Sequence, residues 1–179
     1  MALSLKPHSS EALKMSNEDS LVIRSTTVDD IPAILELIRG LAEFEKMSDE
    51  VVATPEKLKA TLFGDRPDAV CVLAVLGETV VGFAIYFYNY STFLAQKGLH
   101  LEDLFVKEAY RGRGFGEQIL RYLAGVADRE GCGRFEWTVL DWNQAAISFY
   151  EKMGAKILAE WRICRVDGDA ISSLAKKSA

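Results

Sequence analysis

The chain has 179 residues, enough for one domain with a sizeable core. At 49% hydrophobic and 26% charged residues it is composed like an ordinary globular protein, and no run of 18 apolar residues offers a transmembrane helix. A formal net charge of −5 argues against a nucleic-acid binder, which needs a basic face.

The first twenty residues, "MALSLKPHSSEALKMSNEDS", are polar, carry Glu11, Glu18 and Asp19, and lack arginine. They read as a disordered tail preceding a single domain over residues 21–179. "LVIRST" predicts a first strand. Asp29 or Asp30 can cap the helix that follows, with Pro32 in its first turn. Ile31, Ile34, Leu35, Ile38, Leu41 and Ala42 recur at helical spacing, so this helix buries one face and runs to about Glu45. Thr54, Pro55 and Glu56 signal a second helix start, with its end near Phe63. "AVCVLAVL" and "VVGFAIYFYNY" flank the tight turn "GET" as two strands. "LHLEDLFV" is a further strand. After the loop "YRGRGFGEQIL", the residues Ile119, Leu120, Leu123, Val126 and Ala127 form a buried helical stripe. "RFEWTVL" predicts a strand, and Asn143 caps a short helix ending before Gly154. "AKIL" and "WRICRV" are expected to finish the sheet, and the stretch from Asp169 is expected to be helical. The pattern is α/β, with helices flanking a mixed sheet.

Three cysteines at 71, 132 and 164 form no metal-ligand spacing, so reduced thiols in a cytoplasmic protein are expected. His8 and His100 are far apart, which argues against a zinc site or a Ser-His-Asp triad. No metal is expected.

Gly112, Gly114 and Gly116 alternate between a strand and a helix. Glycine permits positive φ and close approach to the backbone. The free N–H groups of a helix start add partial positive charge, so such a loop can cradle phosphates. It lacks the Gly-Lys-Ser/Thr of a nucleotide P-loop and the G-x-G-x-x-G spacing of a dinucleotide fold. Lys107, Arg111 and Arg113 can each present donors to a phosphate.

Arg-Gly-x-Gly-x-Gly in this setting resembles the acyl-CoA pyrophosphate loop of the GNAT superfamily of N-acetyltransferases. "HLEDLFV", "DWNQAAISFYEKMGA" and "EWRICRV" extend the likeness over residues 21–174. They resemble the spermidine/spermine, thialysine and plant ornithine or diamine branch. The resemblance implies a GNAT-type fold with a mixed, mostly antiparallel sheet, and acetyl-CoA as cosubstrate. It implies pantetheine contacts at Leu104, Phe105 and Val106. The pyrophosphate would lie on Arg111, Gly112, Arg113, Gly114, Phe115, Gly116 and Glu117. Asn143 and Ala146 would meet the far arm of the cofactor.

Acetyl transfer to an amine also needs proton handling. An alkyl amine has a pKa near ~10.4, so only about one molecule in a few thousand is neutral at pH 7. Glu102 and Asp103, adjacent on a strand, point to opposite faces unless the strand bulges. The resemblance makes Glu102 the proton relay through water, with Asp103 adding substrate attraction. It makes Tyr150 the general acid to the leaving thiolate. Phe44 and Glu45 match an aromatic–acidic pair lining the amine channel, and Trp161 would wall the same cleft. Polyamine-specific relatives carry Asp-Pro-Trp where this chain has Ser91, Thr92 and Phe93. The missing carboxylate favours ornithine, lysine, thialysine or a short diamine over spermine. An amino-acid substrate would further need a donor for its carboxylate, Arg162 or another arginine. The resemblance also implies a homodimer, and the lack of a long apolar run leads us to expect no membrane partner. The alternatives are a protein or peptide acetyltransferase on the same fold, or a non-catalytic acyl-CoA-binding module.

Overall fold

A computed structural model describes residues 20–176. The expected disordered tail lies outside the described residues, Ser20 apart. The chain divides into two compact units at Thr138/Val139.

The first unit holds one five-stranded sheet in the order β1-β2-β3-β4-β5. These are β1 (Leu21–Ser25), β2 (Val70–Leu76), β3 (Thr79–Ser91), β4 (Gln96–Val106) and β5 (Phe135–Trp137). The first four pair antiparallel, and β5 joins β4 in parallel through Leu99↔Phe135 and Leu101↔Trp137. The sheet is therefore mixed and mostly antiparallel, as the sequence led us to expect.

Three helices belong to this unit: α1 (Ile31–Glu45), α2 (Pro55–Phe63) and α3 (Phe115–Arg129). Entry to α1 is fixed by Asp30, whose carboxylate accepts from Thr27 N–H at 2.8 Å and pairs with Arg24 at 2.7 Å. Those contacts pull its pKa down to about 2, the Arg24 hydrogen bond being the largest cause. Thr54 Oγ1 caps α2 by accepting from Lys57 N–H at 3.3 Å.

Two layers sandwich the sheet. On one face, Ile31, Ile34, Leu35 and Leu37 of α1 join Leu58 of α2, Cys71, Leu73, Phe83, Ile85 and Phe105 in a buried cluster. Gly40 lets α1 sit close there, since a Cβ would stand 3.1 Å from the Phe105 ring. On α3, the stripe Ile119, Leu120, Leu123, Val126 and Ala127 is buried as its spacing predicts.

The second unit contains α4 (Gln144–Lys152) and α5 (Gly168–Lys176). Here two expectations are corrected. "AKIL" and "WRICRV" are not strands: residues 155–167 contain neither strand nor helix. A strand exists only through its ladder partner, and these backbone groups pair with no strand among the described residues. "RFEWTVL" forms a strand only over Phe135–Trp137.

Candidate active site

The glycine loop takes the shape its composition calls for. Strand β4 stops at Val106, one tight turn follows over Glu108–Tyr110, and α3 opens at Phe115. Gly112 and Gly114 have φ of 75° and 76°, the left-handed region that L side chains avoid. A Cβ built on either would meet nothing within 4 Å, so the loop encloses open space. The N–H groups of residues 112–117 donate to no backbone carbonyl among the described residues, whereas Gln118 N–H already donates to Gly114 O at 3.1 Å. Unpaired donors at a helix start form an anion cradle. The first-turn carboxylate of Glu117 is turned to Arg121 at 2.9 Å. Phe115 is buried beneath Arg113, whose guanidinium stands 4.9 Å from the ring centre. These residues fit the diphosphate of a bound acyl-CoA.

Strand β4 separates two chemical environments by means of an irregularity. Asp103 pairs with Ile85 and Leu101 with Tyr86, so Glu102 is an extra residue without a partner on β3. The bulge puts Asp103 and Leu101 on opposite faces, although plain alternation would give them one. Asp103 and Phe105 face α1, while Leu104 lies toward α3, its Cδ2 4.0 Å from where a Gly116 Cβ would stand.

The consequence is electrostatic. Asp103's pKa is raised to about 6, first by burial and then by the charges of Glu102 and Glu45. Glu45 is itself pushed up by burial, and it closes α1, where the helix dipole opposes a negative charge. Glu102 is more than half exposed and stands 4.0 Å from His100 Nε2. The three carboxylates thus form an acidic site that a cation would stabilise.

A raised carboxyl pKa costs stability wherever the group is ionised when folded. The ordinary value is 3.8, so the cost is absent below about pH 4 and complete above about pH 6. Asp103→Asn should therefore raise Tm at pH 8 by several degrees, the upper bound being about 3 kcal/mol at roughly 2–4 °C per kcal/mol. Little gain is expected at pH 4. Thermal melts at both pH values check this, and a gain that does not vary with pH would remove the electrostatic explanation.

The basic residues lie otherwise than the sequence suggests. Lys107 Nζ pairs with Glu36 of α1 at 2.7 Å. Arg111 Nε donates to Val106 O at 2.9 Å, and its guanidinium lies over the rings of Phe44 at 4.5 Å and Phe105 at 5.3 Å. The Phe44 face expected to receive a substrate cation thus carries Arg111. The Arg111 main chain belongs to the glycine loop, but its side chain turns to the α1 face.

Within the second unit, Asn143 caps α4 as expected, its Oδ1 accepting from Ala146 N–H at 3.2 Å. Tyr150 is half-buried on α4, with its ring 5.3 Å from that of Phe149. Trp161 is exposed. His100 and the turn of Arg111 toward α1 were not foreseen. The first had a signal, since His100 and Glu102 stand two positions apart on one strand. The second had none, because a loop side chain can turn either way.

The residues 34–155 match the Acetyltransferase (GNAT) family. The chain belongs to that family and is an N-acetyltransferase, for which the family implies acetyl-CoA as cosubstrate. It is 37% identical to an L-ornithine N5-acetyltransferase of Arabidopsis thaliana, the match covering 86% of this chain and 87% of that one. It is 39% identical to a thialysine N-epsilon-acetyltransferase of Sus scrofa, covering 88% of this chain and 99% of the relative. Among solved structures, an integron cassette protein from the mobile metagenome of V. cholerae superposes with a TM-score of 0.72 at 28% identity. That match covers 88% of this chain and 99% of the other.

Proposed function

We propose that the protein transfers acetyl from acetyl-CoA directly to a primary amine of a small cation: ornithine, lysine, thialysine or a short diamine. The observation that carries this reading is the group of three carboxylates, Glu45, Asp103 and Glu102, around the bulge of β4. A buried carboxyl crowded by two others gains most from an arriving ammonium. The names of the Arabidopsis and pig relatives support the same substrate class.

Bound acetyl-CoA supplies the thioester. The acidic site attracts the ammonium, and Glu102 accepts its proton through water, leaving the nitrogen lone pair free to attack. As the N–C bond forms and the C–S bond breaks, the Tyr150 phenol donates its proton toward the departing thiolate, and the excess proton of the acylated nitrogen returns to the phenol oxygen. No cysteine is needed as a nucleophile; Cys71 is buried, and burial pushes its thiol up to about 12. The reading includes a homodimer, as the family resemblance implies, and a cytoplasmic location, as reduced thiols would suit.

Long polyamines fit less well. Phe93 is exposed at the tip of the β3–β4 hairpin, and Ser91 Oγ there accepts from Leu94 N–H at 3.3 Å. No carboxylate stands at residues 91–93 to hold a distal nitrogen. A panel of amines assayed with acetyl-CoA by thiol release tests the proposal. Ornithine or a short diamine should exceed spermine in kcat/KM by about tenfold or more, since one lost ion contact is worth roughly that. The reverse ranking would return the chain to the polyamine acetyltransferases.

A further inference from the structure

A cleft of about 570 Å³ opens beside α1, lined by Arg39, Glu43 and Phe44 on the helix and by Phe105, Glu108 and Arg111 at the end of β4. At its wall stands a guanidinium already held in place. Arg111 is fixed at Nε by Val106 O and set against two aromatic rings, while neither Nη makes a hydrogen bond or ion pair among the described residues. An arginine so arranged has lost its rotamer freedom in advance and retains donors that match a carboxylate.

Its side chain lies with Phe44 and Phe105, apart from the N–H groups of the glycine loop. Phe105 packs with α1 in the core cluster, whereas Leu104 and the start of α3 lie on the other side of β4. The guanidinium therefore sits on the face of Asp103 and Glu45. Asp103 and Phe105 are two residues apart on that face, a separation of roughly 7 Å along a strand. The guanidinium carbon stands 5.3 Å from the Phe105 ring centre, so the span from it to Asp103 is of the order that a chain of three or four methylenes bridges.

We propose that this cleft receives the head group of an α-amino acid, with its α-carboxylate on the Nη groups of Arg111 and its terminal amine among the carboxylates near Asp103. The α-ammonium faces Glu43 and Glu108 in the same cleft, while Lys107 is neutralised by Glu36. This rests on the small-amine acetyltransferase reading above and narrows it: the substrate is a zwitterion such as ornithine or lysine, and the decarboxylated diamine is the poorer acceptor.

The test compares L-ornithine, 1,4-diaminobutane and ornithine α-methyl ester on wild-type protein and on Arg111→Gln, with KM for acetyl-CoA measured alongside. On wild-type protein the ester and the diamine should show KM values about tenfold or more above that of ornithine, the cost of an unmade charged contact. In Arg111→Gln the ratio of ornithine to diamine kcat/KM should collapse by a similar factor, with KM for ornithine rising more than KM for acetyl-CoA. Wild-type comparisons need no variant, so misfolding of Arg111→Gln leaves the proposal decidable. Equal wild-type KM values for the three amines would overturn the carboxylate anchor alone. So would an Arg111→Gln loss that falls equally on both amines or chiefly on acetyl-CoA. Wild-type protein that acetylates none of the three amines would overturn the substrate reading beneath it.

Discussion

Tyr150→Phe is expected to lower kcat by about 10²-fold, the ordinary worth of a positioned general acid, while KM for acetyl-CoA stays within a few-fold. The substitution deletes one oxygen and keeps the ring that packs 5.3 Å from Phe149, so α4 should remain folded. A phenol titrates near ~10 and a thiol near ~8.5, which makes complete transfer to the thiolate uphill by about 2 kcal/mol. The phenol thus acts mainly as a charge-assisted hydrogen-bond donor as the C–S bond breaks. Stopped-flow measurement of single turnovers separates this step from product release. A variant turning over at the wild-type rate would take Tyr150 out of the chemistry.

Gly114→Val should weaken coenzyme A binding by about 100-fold or more, for two additive reasons. First, residue 114 sits at φ 76° as the residue before α3, and a β-branched side chain tolerates that conformation at a cost of roughly 1–3 kcal/mol. Second, a Cβ there meets no protein atom within 4 Å, so its branches would project into the space the anion needs. Gly116→Ala separates the causes. Gly116 lies inside α3 without positive φ, and its Cβ would make an ordinary 4.0 Å contact with Leu104. Alanine there should hold or raise Tm, so any loss of affinity reports crowding of the ligand alone. Titration calorimetry with coenzyme A reads both variants, and full affinity in Gly114→Val would refute the cradle.

The elements whose pattern is self-contained were readable before the structure. The α3 stripe from Ile119 to Ala127 needs only helical spacing, and the Thr54 cap needs only its three-residue reach to Lys57. Glycines alternating before a helix likewise define their own geometry. Features decided by a distant partner were not readable. Residues 155–167 alternate well enough to suggest strands, yet strand formation depends on an available ladder edge. The direction of Arg111 was set by Phe44, far away in the chain. A glutamate beside an aspartate gave no sign of which would be squeezed out of register against Tyr86 and Ile85.

That unpaired glutamate also fixes what a one-residue slip would do to the strand. Pairing position 102 with Ile85 would restore strict alternation and roll the remainder of β4 over by half a turn. Leu104 would then swing into the helix-packed interior, and Phe105 would turn toward the nucleotide side. The acid now at 103 would leave its hollow. Such a slip would leave the sheet hydrogen-bonded and the enzyme inside out.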